Sequence, residues 1–541
     1  MQPLKREQVW GRLVHEARQR AFRRIPPLLP FVLGMPDAPG VAVKLPEPVQ
    51  DPESLARAET ALRHGTAVLA GHEVGVRDWG RTDVPKLVRY HLHYLDLARD
   101  LVEAGRFAHR EDLTQAGLAL ARDWSVAHPP RGGEAWEPYP VSARLQNLCV
   151  LAATAGADCP DWLRRQAELH ARYVAAFPEE HLQGNHLLKN ACALAVAGLC
   201  FEGDGTRERE LLGLSRVEAE VARQVLPDGG HDERSVMYHL LAMADLLDVR
   251  DFAQGRSRAV PWLEDALERM ARFAAHVLHP DGELPLFNDA VLGQAPPPAK
   301  LFARLGRVPQ VDPARIFDTP DFGLTVFRPT KEEALFFDSG PLGPLHQSGH
   351  AHSDTLSYEL SIAGARRAVN GGVDGYQSAN RAFFRSAVAH NTVTVDGLGP
   401  DELWGAFRVG GRCRVVSRAF DDRLTYLWAR AKLEAYQGWS QERTLALFPG
   451  QALIVVDAVE AKRAATVVSR ARLLPGNAPV RFVPLAGDAS QRGTAYAPEF
   501  NKVFDIAEHS VRGAGRQVRL AYALAWGSAD PLALAAQAGL S

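Results

Sequence analysis

In the first half of the chain, apolar residues recur at the spacing of an amphipathic helix. Gly, Pro or Asp interrupts this pattern between segments of roughly 12 to 20 residues, which continue to about residue 290. Two examples are 83–105, DVPKLVRYHLHYLDLARDLVEAG, and 185–203, NHLLKNACALAVAGLCFEG. Roughly ten such segments with short connections predict antiparallel helix pairs in an α/α array. Since no close repeat of fixed period occurs, a repeat solenoid is disfavoured.

The pattern changes near residue 320, where apolar and polar residues begin to alternate. Runs rich in β-branched and aromatic residues, such as TLSYELSIAG and QALIVVDAVEA, are separated by turn signals up to the C-terminus. This alternation predicts a large antiparallel β-sandwich over 321–541. The proline-rich stretch 291–320 is predicted to link it to an α/α domain formed by 1–290.

Composition excludes several classes of protein. A chain of 541 residues with a formal net charge of −2 is a globular protein of more than one domain, and it does not coat nucleic acid. No run of about 18 apolar residues predicts a membrane span, and no GxGxxG or GxxxxGK[ST] motif predicts nucleotide binding. The N-terminus lacks the features of a signal peptide. The five cysteines form no CxxC pair, so we expect buried thiols in a reducing, cytoplasmic compartment.

Three stretches carry residues suited to chemistry. In the first, QGNHLLKNACALAVAG, Asn185 stands where a helix is predicted to begin and His186 follows in its first turn. One interpretation is an ordinary N-cap beside a partly buried histidine. The other is a carboxylate site, because free amide N–H groups and the positive end of the helix dipole lie there.

The second stretch is LPDGGHDERSVMYHLLAMADLL, in which Tyr238 lies off the buried stripe of a predicted helix. A tyrosine in a helix usually serves packing. However, Arg234, His239 and several other ionisable residues crowd around it directly after a Gly-Gly turn, and such density favours a cleft over a core.

The third stretch begins with GHAHSDTLSYEL, where His350 and His352 are separated by one residue before a predicted strand. Together with His390 and either Asn370 or Asp374, they offer enough nitrogen and oxygen donors for a first-row divalent ion. HxH alone is a weak signal, and the alternative is a hydrogen-bonded turn that happens to contain histidines.

Five blocks of the chain, taken in order, resemble the heparinase II/III-like polysaccharide lyases. They are WEPYPVSARLQN (136–147), GNHLLKNACALAVAGLCF (184–201), DGGHDERSVMYHLLAMADLLD (228–248), GHAHSDTLSYEL (349–360) and RAFFRSAVAHNTVTVDG (381–397). The resemblance implies an N-terminal incomplete (α/α) toroid and a C-terminal antiparallel β-sandwich, in agreement with the change of period. It also implies cleavage of a 4-linked uronic-acid polymer, such as a glycosaminoglycan, by β-elimination.

The resemblance further implies a role for each site residue. Asn185, with His186, would neutralise the uronate carboxylate, Tyr238 would protonate the leaving oxygen, and His350 would remove the C5 proton. We expect Arg234, one helical turn from Tyr238, to lower the pKa of the phenol.

A structural metal is implied as well. His352 and His390 match the family's ligand positions, with Asn370 where many relatives carry an aspartate, and Asp374 as a possible substitute. The expected ion is Zn²⁺ or Mn²⁺, placed to brace His350. Since His350 and His352 are i and i+2, both could share one face of an extended segment.

Basic and aromatic residues elsewhere are candidate contacts for an anionic polysaccharide, because guanidinium groups bind carboxylates and flat rings stack on sugars. These candidates are Arg77, Arg81, Trp136, Tyr139, Arg144, Arg234, His239 and Arg385.

Three functions remain open from the residues. The first is a lyase on glycosaminoglycans or on a related polymer such as alginate or an exopolysaccharide. The second is a hydrolase, which would need two carboxylates flanking the bond, with Asp228 and Glu233 as the nearby pair. The third is a non-catalytic polysaccharide-binding protein of an exopolysaccharide pathway. The oligomeric state is not predicted.

Overall fold

The computed structural model describes residues 5–34, 36–346, 348–477 and 479–540. Within these ranges, thirteen α-helices precede the large sheet or lie just before its first strand. They are α1 Arg6–Arg24, α2 Leu28–Leu33, α3 Pro52–His64, α4 Lys86–Tyr94, α5 Asp96–Ala108, α6 Glu111–Ala127, α7 Pro138–Ala155, α8 Asp161–Ala176, α9 Gly184–Cys200, α10 Thr206–Gln224, α11 Val236–Gly255, α12 Pro261–Val277 and α13 Pro298–Leu305.

The helical part also contains two small two-stranded sheets. Their strands are β1 Gly40–Val41, which pairs with β4 Phe201–Glu202, and β2 Thr66–Leu69, which pairs with β3 His72–Gly75.

The C-terminal part contains a 13-stranded sheet among the described residues, and its strands pair antiparallel throughout. Its strands are β5 Ile316–Asp318, β6 Leu324–Phe327, β7 Ala334–Asp338, β8 Tyr358–Ile362, β9 Ala365–Ala368, β10 Val393–Val395, β13 Arg414–Asp422, β14 Leu427–Glu434, β15 Ser440–Phe448, β16 Ala452–Leu473, β17 Arg481–Ala486, β18 Asp488–Glu499 and β19 Lys502–Ala525. A separate hairpin pairs β11 Glu402–Trp404 with β12 Arg408–Gly411, and two short helices, α14 Arg381–Arg385 and α15 Pro531–Gln537, complete the domain.

Helices α7, α9 and α11 form the centre of the helical part. Their residues are buried on nearly all sides, which explains their low polarity. Two glycines let α9 and α10 approach closely: a Cβ on Gly198 would lie 2.4 Å from the backbone of Glu210, and one on Gly213 would lie 2.4 Å from that of Ala195. Helices α9 and α11 also pack against each other, and Asn185 and Tyr238 lie in their respective first turns.

The sheet folds around a second apolar core, to which β6 to β10, β14 to β16 and β19 contribute. The long strands β16 and β19 pair over most of their length and join the other strands into one layered body. The predicted order, a helical toroid followed by an antiparallel sheet, is therefore confirmed.

The stretch predicted as a link is more ordered than its composition suggests. Helix α13 occupies 298–305 and packs on α11, while β5 forms the first strand of the large sheet. Proline stands at the N-cap and first turn of α13, positions that tolerate it, so a proline-rich sequence here begins a helix.

All five cysteines are buried and unpaired, as expected. Over the described residues, no helix combines the length and apolar character needed to cross a membrane.

Candidate active site

A cleft of about 1570 Å³ lies between the helical part and the sheet. Helices α4, α5, α7, α9 and α11 contribute one wall, and loops of the sheet domain contribute the other. Asn185, His186, Tyr238 and His350 all line this cleft, although they come from three distant parts of the chain. The four predicted catalytic residues therefore share one cavity.

A buried carboxylate connects these residues. Glu233 accepts a hydrogen bond from Nδ1 of His350 at 2.6 Å and another from the backbone N–H of Asn185 at 2.9 Å. Burial alone would raise the pKa of Glu233, but the attraction of His350 and these hydrogen bonds lower it to about 2. Because an ionised Glu233 accepts the hydrogen bond from Nδ1–H, it favours the imidazole tautomer whose Nε2 has a free lone pair and can act as a base.

The loop before α11 holds Glu233 in place. Arg234 has a left-handed backbone with φ of 57°, and Ser235 then caps α11 by accepting a hydrogen bond from the N–H of Tyr238. This sharp change of direction turns Glu233 toward the start of α9 while Tyr238 enters the cleft one turn later. The polar run after the Gly-Gly turn thus builds the site from adjacent residues that point in different directions.

The phenol of Tyr238 lies beside the imidazole of His350. Their rings stack with centroids 4.0 Å apart and planes 9° apart, and the Tyr238 hydroxyl is 2.7 Å from that of Tyr376. Burial, then Tyr376 and Asp289, raise the pKa of Tyr238 well above its usual value. Tyr238 therefore stays protonated and suits a proton donor.

The expectation that Arg234 lowers the pKa of Tyr238 is wrong. The Arg234 guanidinium donates to the backbone carbonyls of Asp321 and Phe322, toward the sheet domain. The left-handed backbone at Arg234 breaks the helical spacing on which the expectation relied, since α11 begins only at Val236.

His186 supplies a cation to the cleft. Its Nδ1 lies 3.2 Å from Oε1 of Glu179. Burial works to lower the pKa of His186, but Glu179 outweighs it, and the net pKa is raised above 6.5. Asn185 lies beside His186 in the first turn of α9, which begins at Gly184, so Asn185 does not cap the helix as predicted. Its Oδ1 has no hydrogen-bond partner among the described residues.

A second group of residues lies behind His350 and is fully buried. His352, Asp354 and His390 each offer a ligand atom, and these atoms lie within 4.8 Å of one another. Nε2 of His352 is 2.8 Å from Asp289, while its Nδ1 has no partner among the described residues. Burial lowers the pKa of His352 to about 4 and that of His390 well below 6.5, so both imidazoles are neutral. A carboxylate that orients a neutral, unpaired imidazole nitrogen is the arrangement of many metal sites.

Of the two oxygen ligands considered from the sequence, Asn370 is near this group and Asp374 is not. Oδ1 of Asn370 lies 3.2 Å from Nδ1 of His390. Asp374 instead accepts hydrogen bonds from Ser378 and Asn380 in a surface turn. Asp354, two residues after His352, offers a carboxylate oxygen within 4.8 Å of the candidate ligand atoms of His352 and His390.

Most of the predicted polysaccharide contacts do not lie at the cleft. Among the eight candidates, only Tyr139 lines the cleft. The centre of its ring is 4.7 Å from the centre of the His186 ring. Arg77 and Arg81 form surface ion pairs with Asp123 and Asp83. The other five hydrogen-bond to main-chain carbonyl groups: Trp136, Arg144, Arg234, His239 and Arg385. Residue type alone could not separate an arginine that binds a ligand from one that binds the backbone.

Sequence reasoning missed the contacts that four residues make in the site. Glu233 binds His350, Asp289 contacts His352, Asp354 lies beside His352 and His390, and Tyr376 contacts the Tyr238 hydroxyl. The sequence contained a usable signal for Asp354, because it follows His352 at the same two-residue interval that separates the two histidines. Asp289 and Tyr376 carry no local motif, and only the fold brings them to the site.

The fold and the cleft define a two-domain protein of helical toroid and antiparallel sheet with its site at the domain boundary. The N-terminal part matches the family described as "Heparinase II/III N-terminus" over 63–303, and the C-terminal part matches "Heparinase II/III-like, C-terminal" over 311–504. The chain therefore belongs to the heparinase II/III-like family.

The relatives of this chain differ in their described roles. It is 26% identical to FtsZ-localized protein C of Caulobacter vibrioides, over 61% of this chain and 57% of the relative. It is 31% identical to a heparin-sulfate lyase of Bacteroides stercoris, over 29% of this chain and 25% of that enzyme. The chain thus covers less than two thirds of either relative. A crystal structure of heparinase III matches with a TM-score of 0.72 at 16% identity, covering 93% of this chain and 90% of the other, which establishes the fold.

Proposed function

We propose that the protein is a polysaccharide lyase that cleaves a 4-linked uronic-acid polymer by β-elimination. The observation that carries this proposal is the ionised Glu233 bound to His350, with the protonated Tyr238 stacked on the same imidazole. A base and an acid thus lie close enough to act on the C5 hydrogen and the C4 oxygen of one sugar.

In the proposed reaction, Nε2 of His350 takes the C5 proton of the uronate, and Glu233 stabilises the imidazolium that forms. Asn185 and the cationic His186 face the uronate carboxylate and stabilise the negative charge that develops there. The C4–O bond then breaks, and the Tyr238 hydroxyl protonates the departing oxygen. Tyr376 can return a proton to Tyr238 through their shared hydrogen bond.

The stacked rings favour one stereochemical course. Tyr238 belongs to the helical wall and His350 to the sheet-domain wall, but their rings stack 4.0 Å apart where the walls meet, so both reach the sugar from one side. This suits syn elimination, in which the C5 hydrogen and the C4 oxygen lie on the same face of the ring. Glucuronate and mannuronate have that relation, whereas iduronate and guluronate do not.

The charges along the helical wall favour a polymer with few sulfate groups. Most of its cations are already paired, among them Lys189 with Asp245, Arg99 and Arg304 with Asp248, and Lys300 with Asp51, while Arg57 forms no ion pair with a described residue. Asp100 and Glu283 line the cleft without an ion pair among the described residues. Burial raises the pKa of both, that of Asp100 to about 6, so Asp100 is still ionised at neutral pH. We therefore propose an unsulfated or sparsely sulfated glycosaminoglycan backbone as substrate, with alginate as the alternative.

We also propose a structural divalent ion, Zn²⁺ or Mn²⁺, held by His352, His390 and Asp354, with Asn370 beside them. Two neutral imidazoles and a carboxylate suit either ion. Burial raises the pKa of Asp354 well above its usual value, so a cation would be needed to keep this carboxylate ionised. Such an ion would brace the segment that carries His350.

The other two functions have less support. For a hydrolase, Asp228 and Glu233 would have to face each other across the bond, but Asp228 binds the N–H groups of Asp321 and Phe322 and Glu233 binds His350. One observation bears on a non-catalytic role: the sequence similarity to FtsZ-localized protein C extends over 61% of this chain, against 29% for the lyase of Bacteroides stercoris.

A panel of polymers tests the proposal. Hyaluronan, unsulfated chondroitin, chondroitin sulfate, heparan sulfate and alginate are incubated with the protein, with and without a chelator. We expect new ultraviolet absorbance from a conjugated uronate, strongest with an unsulfated glucuronate polymer. Saturated products would indicate a hydrolase, and binding without any new absorbance would indicate the non-catalytic role.

A further inference from the structure

The sheet-domain wall of the cleft carries three exposed aromatic side chains. Trp404 and Phe407 lie on the β11–β12 hairpin, and Tyr436 lies on the turn after β14. Trp404 is 52% exposed, Phe407 42% and Tyr436 58%, and all three line the cleft. Large aromatic rings rarely stay exposed together unless they bind something.

The backbone supports this surface in a specific way. A Cβ on Gly411 would lie 2.1 to 2.3 Å from the ring carbons of Tyr436, so the ring packs directly on the glycine. On the same hairpin, the guanidinium of Arg408 lies 5.0 Å from the centre of the Trp404 ring. Among the described residues Arg408 has no ion-pair partner, and it also lines the cleft.

Two buried arginines connect the hairpin to the catalytic segment. Arg385 donates to the carbonyl of Gly405 at 3.0 Å and to that of Ala351 at 3.0 and 3.1 Å. Arg381 donates to the carbonyl of Ala406 at 3.1 Å. Since Ala351 lies between His350 and His352, the hairpin is fixed relative to the proposed base.

Phe407 lies closest to that base. Its ring centre is 6.5 Å from that of His350 and 5.7 Å from that of Tyr376. One of the three aromatic rings therefore lies beside the proposed reaction centre, and Trp404 and Tyr436 line the same cleft.

We propose that Trp404, Phe407 and Tyr436 form a stacking platform for successive pyranose rings of an acidic polysaccharide, and that Arg408 binds the carboxylate of one of its uronates. This inference rests on the proposed function, whose cleft it extends. The apolar C–H face of a pyranose matches an exposed aromatic ring, and an unpaired guanidinium matches a carboxylate. Such a platform would bind a polymer of low charge density, in which stacking replaces the contacts that sulfates would make.

Binding and turnover of an unsulfated glucuronate hexasaccharide test the platform. Binding is measured by titration calorimetry in an inactive Tyr238→Phe background, and KM and kcat are measured in the active protein. The variants are Trp404→Ala, Trp404→Phe, Gly411→Ala and Phe420→Ala. Phe420 is the matched control, because it is an aromatic residue of the same domain with 44% exposure that does not line the cleft. Thermal unfolding confirms that each variant is folded.

We expect Trp404→Ala to raise Kd and KM about tenfold while kcat changes by less than about twofold. Removal of an aromatic partner costs a stacked nucleobase on the order of tenfold in affinity, and we expect a similar effect for a pyranose ring. Trp404→Phe should recover most of the loss, Gly411→Ala should weaken binding by displacing Tyr436, and Phe420→Ala should have no effect. Equal Kd values for wild type and Trp404→Ala, or no hexasaccharide binding to wild type, would overturn the platform. If wild type binds but does not turn over the sugar, the proposed lyase fails, while a weaker Kd in Trp404→Ala still supports the platform.

Discussion

His350 and His352 are separated by one residue, yet they lie in opposite surroundings. His350 lines the cleft, donates to the ionised Glu233 and stacks on Tyr238. His352 is fully buried, contacts Asp289 and keeps one ring nitrogen unpaired among the described residues. The first is equipped to move a proton and the second to bind a cation. Two identical side chains thus acquire different chemistry from their partners, and that division can be tested.

The largest effect is expected at the proton donor. Tyr238→Phe removes the hydroxyl that protonates the leaving oxygen but keeps the ring that stacks on His350, so kcat should fall about 10³-fold with an unchanged unfolding temperature. The fall in kcat is measured from initial rates of unsaturated-uronate formation. Tyr376→Phe is the control and should cost about tenfold or less. Equal losses in both variants would contradict the assignment of Tyr238 as the direct donor.

The next largest effect concerns the partner of His350. Glu233→Gln keeps the size and one hydrogen-bond acceptor but removes the charge that stabilises the imidazolium, so kcat should fall about 10²-fold with little change in KM. Asp232→Asn is the control, because Asp232 is the adjacent carboxylate and makes no contact with His350. A Glu233→Gln protein with wild-type kcat would show that His350 needs no carboxylate.

On the side of His352, Asp354→Asn should release the ion. We expect the bound metal, measured by mass spectrometry, to fall from about one per chain to nearly none, with a lower unfolding temperature, because an amide is a weaker ligand than a carboxylate. Asp374→Asn should keep the ion, since Asp374 lies in a surface turn. Retention of the metal in Asp354→Asn together with its loss in Asn370→Ala would assign the ligand to Asn370.

The smallest effect is a shift in pH dependence. The folded pKa of His186 is raised above 6.5, mainly by Glu179 against the effect of burial, so the cation is present below that pKa and is lost as pH rises through it. Glu179→Gln should therefore move the alkaline limb of kcat/KM to lower pH, with a few-fold loss above neutrality. His181→Gln should not move it, because the pKa of His181, lowered to about 4 by burial, already makes it neutral. An unmoved limb in Glu179→Gln would exclude His186 as the cation.

The sequence predicted what depends on local pattern. The change from helical to alternating spacing located both parts of the fold, and the polar runs around Tyr238 and His350 located the cleft. It could not predict how the chain turns: His350 lies in a turn, so the shared face expected for i and i+2 does not form. Nor could it distinguish Arg385, which binds main-chain carbonyls, from Arg408, which is unpaired and faces the cleft. Those differences arise from tertiary packing.

The central claim is that the two histidines have separate tasks, and one paired assay tests it most directly. Unsaturated-uronate absorbance and bound metal are measured together on His350→Ala and His352→Ala. We predict that His350→Ala keeps the metal and loses turnover, whereas His352→Ala loses the metal and retains measurable turnover when the ion is supplied in excess. Loss of metal in His350→Ala, or full turnover in the same variant, would contradict this account.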